Sequence, residues 1–199
     1  MAASLNDRPP TPVPNPVVVA RQRAALLAAI VQVAGEEGWE RTTVRAVVSR
    51  AGLSRRTVYE LFDDKEACFL AAADALLDEV AQLTRGAHAA AGGGRDGISA
   101  ALAALLDFCA RDPAAARVYL VETAIADPDR WHAHVDLMAD RLRCALAGMR
   151  DEVPDHTGAM AVGGVYTVAR SRVLAGRAGE LSGLAPEMTD ALCLTLGID

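Results

Sequence analysis

Apolar residues recur at helical spacing along nearly the whole chain, and nowhere do they alternate as a strand requires. Leu27, Ile30, Val31 and Ala34 form one stripe on a helix predicted from about 18 to 37. Val44, Val47, Val48 and Ala51 fall at i, i+3, i+4 and i+7 of a second, short helix. Thr43 stands before it as an N-cap, and Gly52 follows as a left-handed stop. Leu53 then precedes a cap serine, Ser54, with Val58 four positions into a third helix, the spacing of a hydrophobic staple. Val58 and Phe62 share the inner face of that helix. A long helix is predicted from Lys65 to about Arg85, and 87–97, with Gly92-Gly93-Gly94, reads as a loop. Five more helices are predicted over 97–111, 113–126, 128–152, 157–178 and 186–196, with Pro113, Pro128, Pro154 and Pro186 at the joints. The fold class is all-α.

The segment from Thr43 to Lys65 carries the densest chemistry. With Val58 and Phe62 turned inward, Arg55, Arg56, Thr57, Tyr59 and Glu60 are left to point elsewhere. Two forked guanidiniums, a threonine and a tyrosine suit a major groove, where Arg reads guanine and Thr meets thymine methyls. Spacing alone fits an ordinary helical hairpin with a solvated arginine face equally well. Lys65 adds a second signal. It is the single lysine of the sequence, and it lies in the first turn of a helix, where a cation opposes the dipole. A local rule broken in this way marks candidate functional positions, and a phosphate at the helix N-terminus resolves the conflict. Asp63, three residues before Glu66, makes a capping-box-like start; it and Asp64 repel a phosphate unless they turn inward to cap.

Residues 20–70 resemble the DNA-binding domain of TetR-family transcriptional regulators. The resemblance rests on the first helix, Gly38-Trp39, Thr42-Thr43-Val44, Ala51-Gly52-Leu53-Ser54, Thr57-Val58-Tyr59, Phe62 and Lys65-Glu66. It implies phosphate contacts from Thr43, Tyr59 and Lys65, and base or groove contacts from Arg45, Arg55, Arg56 and Thr57, with Ser54 at the same helix start. Two positions depart from the family's pattern: Glu60, where a basic or aromatic residue is common, and Leu61, where histidine is common. Glu60 either accepts from a cytosine amino group or orients Arg56. The domains expected are a disordered arm over 1–16, a three-helix helix-turn-helix domain over 17–65, and a helical effector-binding and dimerisation domain over 66–199.

Charge changes the picture by its distribution. The whole chain carries −6, which argues against a general nucleic-acid coat. Residues 1–65 are net +2 and residues 66–199 net −8, so the basic stretch coincides with the motif. Cys68, Cys109, Cys144 and Cys193 are far apart and fall among apolar neighbours, the pattern of buried free thiols in a reducing compartment. The proline-rich N-terminus does not read as a signal peptide, and no apolar run is read as membrane-spanning. A cytoplasmic protein without a membrane partner is expected.

In the body, Val118, Val121, Glu122 and Ile125 share a stripe, which puts a carboxylate on an apolar face. Such an acid needs a partner or a raised pKa. The readings are a salt bridge, with Arg143 or Arg170 as partners, or a polar anchor for a ligand. Trp131, Val135, Met138, Leu142, Ala145 and Met149 repeat at four-three spacing, with His134 beside them. Stripes of this kind are ordinarily plain core. The family resemblance implies a cavity between these helices, and Phe108, Tyr119, Glu122, Trp131, His134, Met138 and Tyr166 are the candidates for its lining. The nearly all-apolar 157–178 segment needs covering on both sides. Val165, Tyr166, Ala169 and Val173 face inward, while Gly163, Thr167, Ser171 and Leu174, with Met188, Ala191, Leu192 and Thr195 of the last helix, face a second copy.

Enzymatic motifs are not found: the four histidines make no HExxH, and no nucleophile elbow or P-loop is present. No cofactor or metal is expected. The reading is a homodimeric TetR-like regulator that binds a double-stranded DNA operator, most simply a repressor released by a small hydrophobic effector. Its rivals are a regulator of the same fold without a small-molecule effector, and an all-helical carrier or enzyme whose N-terminal motif is only a structural hairpin.

Overall fold

Each N-terminal helix is started by a side chain that accepts from its first free amides, and the spacing of these starts sets the N-terminal architecture. The computed structural model describes residues 15–147, 149 and 153–198. Asn15 caps α1 (Pro16–Glu37) by accepting from the Val17 amide at 3.0 Å, with proline in the first helical position. Residue 16 therefore begins the helix instead of ending an arm, and the rest of the expected arm lies outside the described residues. Thr43 caps α2 (Val44–Ala51), Ser54 caps α3 (Arg55–Leu61) and Asp64 caps α4 (Lys65–Ala90). The cap of α4 is thus Asp64 and not Asp63. Gly52 closes α2 at φ +65°, the left-handed position the turn demands.

The body is built from α5 (Gly94–Arg111), α6 (Pro113–Arg117), a π-helical turn (Val118–Glu122), α7 (Thr123–Ala126), α8 (Pro128–Ala147), α9 (Thr157–Leu174), a 3-10 stretch (Ala178–Leu184) and α10 (Ala185–Leu196). No strand occurs among the described residues. Helix α4 runs past the expected end near Arg85 to Ala90, and α5 starts three residues early. The predicted loop shrinks to a tight turn because Gly92, Gly93 and Gly94 take φ of +80°, +78° and +60° in succession. The predicted end of α8 at 152 lies outside the described residues. Helix α9 stops at Leu174, ahead of Gly176 at φ +71°.

One buried cluster runs from Leu26, Ile30, Val47, Val58 and Phe69 through Leu106, Tyr119 and Leu120 to Tyr166, Val173 and Leu181. A smaller one gathers Ile98, Leu146, Ala161 and Leu196 near the far end of α5. At 26 residues α4 extends about 39 Å, so one rigid element joins the three-helix head to the body. The expectation that no segment has membrane-spanning length needs correcting, since α1 is long and apolar enough by length and composition. A core helix passes the same test, and Leu26, Ile30, Val33 and Ala34 of α1 are buried in the main cluster. Of the cysteines, Cys68, Cys109 and Cys193 are buried as expected, and burial pushes Cys68 up to about 11 and Cys109 up to about 12. Cys144 is exposed, contrary to expectation, because it sits on the outer side of α8.

The contact between α1 and α6 tolerates no side chain at Gly35, where an added Cβ meets the Ala114 Cα and carbonyl oxygen at 2.5 Å. Gly35→Ala should destabilise by about 1–3 kcal/mol through forced backbone separation. Gly86→Ala, in open space within α4, should instead stabilise by about 0.4–1 kcal/mol. Denaturant midpoints of the two variants check the contrast, and equal effects would contradict it.

Candidate nucleic-acid interface and body cavity

The turn between α2 and α3 presents the N-terminal end of α3 outward because Leu53 and Val58 pack inward on either side of the Ser54 cap. Ser54 Oγ accepts from the Thr57 amide at 3.1 Å and lies 2.9 Å from Thr57 Oγ1. Arg55, Arg56, Tyr59 and Glu60 are exposed, Tyr59 at 59%, a high value for a tyrosine. Arg56 Nε donates to Glu60 Oε1 at 2.7 Å, so the acid at this unusual position orients the arginine. Arg55, and Arg45 on α2, have no hydrogen-bond or ion-pair partner among the described residues. Arg50, by contrast, is held by Glu36 of α1 through two bonds at 2.6 and 3.0 Å. Leu61 is half-buried and packs against the core, an apolar use of that position.

Thr43 spends its hydroxyl oxygen on the α2 cap, accepting from the Ala46 amide at 3.2 Å. Lys65 is engaged internally. Its Nζ donates to the Thr42 carbonyl at 2.8 Å and sits 3.9 Å from the centre of the Trp39 ring, a cation–π contact. The conflict between this cation and the helix dipole is therefore met from within the protein. Trp39 in turn stacks on Phe69 at 4.3 Å. The Trp39 amide donates to Glu122 Oε2 at 2.7 Å, and Arg117 Nε donates to Glu122 Oε1 at 2.8 Å. Glu122, 3% exposed, is thus paired with neither Arg143 nor Arg170, and it does not line the body cavity. The π-helical turn carries it to the segment between α1 and α2.

The cavity, about 540 Å³, lies between α4, α5, α8 and α9. Its walls are mostly apolar, among them Ile98, Leu102, Leu105, Leu137, Val162 and Val165, with Arg85, His88, Asp140 and Arg141 as the charged or titratable members. Two of the seven expected lining residues, Met138 and Tyr166, are at its wall. Phe108 lines a separate groove between α1, α4 and α5. Tyr119, Trp131 and His134 stand behind Tyr166 instead of at the surface. Tyr119 Oη lies 2.6 Å from Tyr166 Oη and 2.8 Å from His134 Nε2, and the Trp131 ring sits 5.3 Å from that of Tyr166. Arg141 donates to the Ala81 carbonyl at 2.7 Å. Arg85, His88, Arg141 and Cys144 were not picked out by sequence reasoning; only the one-turn spacing of Thr84, Arg85 and His88 hinted at a shared face. No group of three or more metal-binding side chains occurs among the described residues.

Two exposed faces remain. On α9, Met160, Val168 and Leu174 are exposed, as are Thr167 and Ser171, while Tyr166, Ala169 and Val173 are buried. On α10, Leu194 is 84% exposed, whereas Leu192, expected on the outer side, turns into the cavity wall and the smaller core.

A three-helix head with a capped turn and an exposed, arginine-bearing third helix, joined to an all-helical body, defines a helix-turn-helix DNA-binding protein. Residues 26–72 match the family described as bacterial regulatory proteins, tetR family. Through that domain the chain belongs to the TetR family of transcriptional regulators. Its fold is similar to that of the fatty acid degradation regulator FadR from Bacillus halodurans, at TM-score 0.72 and 16% identity over 94% of this chain and 97% of that one. FadR from Bacillus subtilis, in complex with stearoyl-CoA, gives 0.69 and 16% over 85% and 96%. A TetR family transcription regulator from Marinobacter aquaeolei VT8 gives 0.66 and 21% over 85% and 95%. No curated protein matches the sequence.

The buried hydroxyl–imidazole cluster yields a pH prediction. Burial pulls His134 down to about 4, helped by the Arg141 charge and opposed by Asp78. The unfolded imidazole titrates near 6.5, so the unfolded chain binds the proton first as pH falls. Stability should be full above about pH 6.5, decline between 6.5 and 4, and level off below. The His134 contribution to that decline should be about 2 kcal/mol at pH 5. Denaturant unfolding of the protein and of His134→Gln at pH 7.5 and pH 5 checks it, since the variant should lose that part of the decline.

Proposed function

We propose that this chain is a homodimeric repressor that reads an operator with α3 and is released by a hydrophobic effector bound in the body cavity. The observation that carries the reading is the outward face of α3, where Arg55 has no partner among the described residues and Arg56 is set by Glu60 at the helix start. Helix N-terminal residues of a recognition helix are the ones that approach base edges. Arg55, Arg56 and Thr57 read bases, with Arg45 at the groove edge. Thr43, Ser54, Tyr59 and Lys65 face phosphates, the lysine through N–H groups beyond the one given to Thr42. A protein of this kind acts on DNA in the cytoplasm and carries out no reaction of its own.

The apolar wall of the cavity supports a hydrophobic ligand, and its volume falls in the range of small-molecule sites. The similar FadR structure that holds stearoyl-CoA supports a chain-like acyl compound as the first candidate. The exposed apolar residues of α9 and α10 support a two-fold interface made by these two helices.

Selection of binding sites from random duplexes, with titration of the selected sites, tests the DNA reading. Arg55→Ala should cost about 1–3 kcal/mol and relax one base pair of the site. Lys65→Ala should weaken all sequences alike and lower the salt slope by about one. Binding without any sequence preference would refute the reading. For the dimer, Leu174→Arg with Leu194→Arg should give a monomer or an unfolded chain and remove operator binding. A double variant that still sediments as a dimer would place the interface elsewhere.

A further inference from the structure

We infer that the π-helical turn Val118–Glu122 is the relay by which occupancy of the body cavity reaches the DNA-binding head, with Tyr166 and Tyr119 as its input and Glu122 as its output. The inference rests on the reading of the cavity as an effector site. Its carriers are contiguous. Tyr166 is at the cavity wall, and its hydroxyl lies 2.6 Å from that of Tyr119. Tyr119 is fully buried and belongs to the π turn itself. Three residues on, Glu122 leaves the same turn and accepts the Trp39 amide at 2.7 Å. Trp39 lies between α1 and α2, and its ring holds the Lys65 ammonium, which also donates to Thr42 beside the Thr43 cap of α2. Thr42 Oγ1 donates back to the Gly38 carbonyl at 2.9 Å, so the whole α1–α2 segment hangs on one carboxylate.

A relay needs an element with two arrangements, and a π turn is one. The Thr123 amide reaches back to the Val118 carbonyl, one residue further than an α-helix allows, and Thr123 Oγ1 donates to the same carbonyl at 2.8 Å. Passing from π to α register rotates the residues before the turn against those after it by about 100°, the angle of one helical residue. Tyr119 and Glu122 both lie inside that turn. Their two hydrogen-bonded ends, the cavity wall and the head, therefore cannot both be kept when the register changes. An effector that displaces Tyr166 loosens the hold on Tyr119 and, through the turn, the hold of Glu122 on Trp39.

Amide hydrogen exchange of the full-length protein tests the relay without an effector. Tyr166→Phe, or Tyr119→Phe should the first fold poorly, removes one hydroxyl at the input and keeps the ring. The Trp39 amide should lose protection by roughly threefold to tenfold, the fold-change of one net hydrogen bond. Amides of α2 and α3 that are remote from the segment should keep theirs. In a Glu122→Gln background the tyrosine substitution should have no further effect at Trp39. Unchanged protection of Trp39, an equal change throughout the chain, or additive effects of the two substitutions would each overturn the relay. A second arm uses stearoyl-CoA as probe, with Trp131 emission reporting binding beside Tyr166. If it binds and shifts Trp39 exchange in the parent but not in Tyr119→Phe, the relay is supported. If it binds and Trp39 is unmoved, the relay falls. If the substitutions couple as expected and stearoyl-CoA leaves Trp131 unchanged, the relay stands and the acyl-effector reading falls.

Discussion

The structure depends most on one buried carboxylate. Glu122 is 3% exposed, and an unpaired carboxylate in such a place carries a desolvation cost that folding does not tolerate. Arg117 and the Trp39 amide satisfy it, one from the body and one from the head. Breaking either contact leaves a buried charge short of partners, a larger loss than the net value of the bond itself. The segment from Gly38 to Thr43 is consequently held where it can start α2, receive Lys65 and set the angle at which α3 meets solvent. The orientation of the recognition surface is inherited from an acid in the body.

Polar groups inside the body obey the same rule. Tyr119, His134 and Tyr166 are buried and satisfy one another, with an imidazole that accepts at Nε2 allowing the two hydroxyls to donate in sequence. Burial raises both phenols well above their usual range and lowers the imidazole, so all three stay neutral across the working range. The cluster forms a rigid partition: on one side the packed core around Tyr119 and Phe108, on the other a cavity flanked by small residues such as Ala101, Ala145 and Ala161. Polar satisfaction, more than apolar filling, decides where the packed core ends.

Local signals were sufficient for the head. Thr43, Gly52, Leu53, Ser54 and Val58 are read from neighbours within one helical turn, and their caps and packing depend on nothing more distant. The helix joints of the body were legible for the same reason, since proline and glycine act on their own backbone. The turn at Gly92–Gly94 was misjudged in length because three positive-φ glycines close a turn more tightly than a glycine-rich loop suggests.

The sequence by itself determined the all-helical class, the helix-turn-helix and the exposed arginine face, because short-range periodicity and capping are enough to specify each of them. Tertiary structure alone decided the partners of Lys65 and Glu122. Thr42 and Trp39 lie more than twenty positions from Lys65, and Trp39 lies 83 from Glu122. The π turn was invisible for a related reason, since inserting one residue into a helical turn leaves the spacing of apolar side chains almost unchanged while rotating one carboxylate out of the cavity wall. Which aromatic residues line the cavity and which stand behind it depends on packing between helices that no single helix encodes.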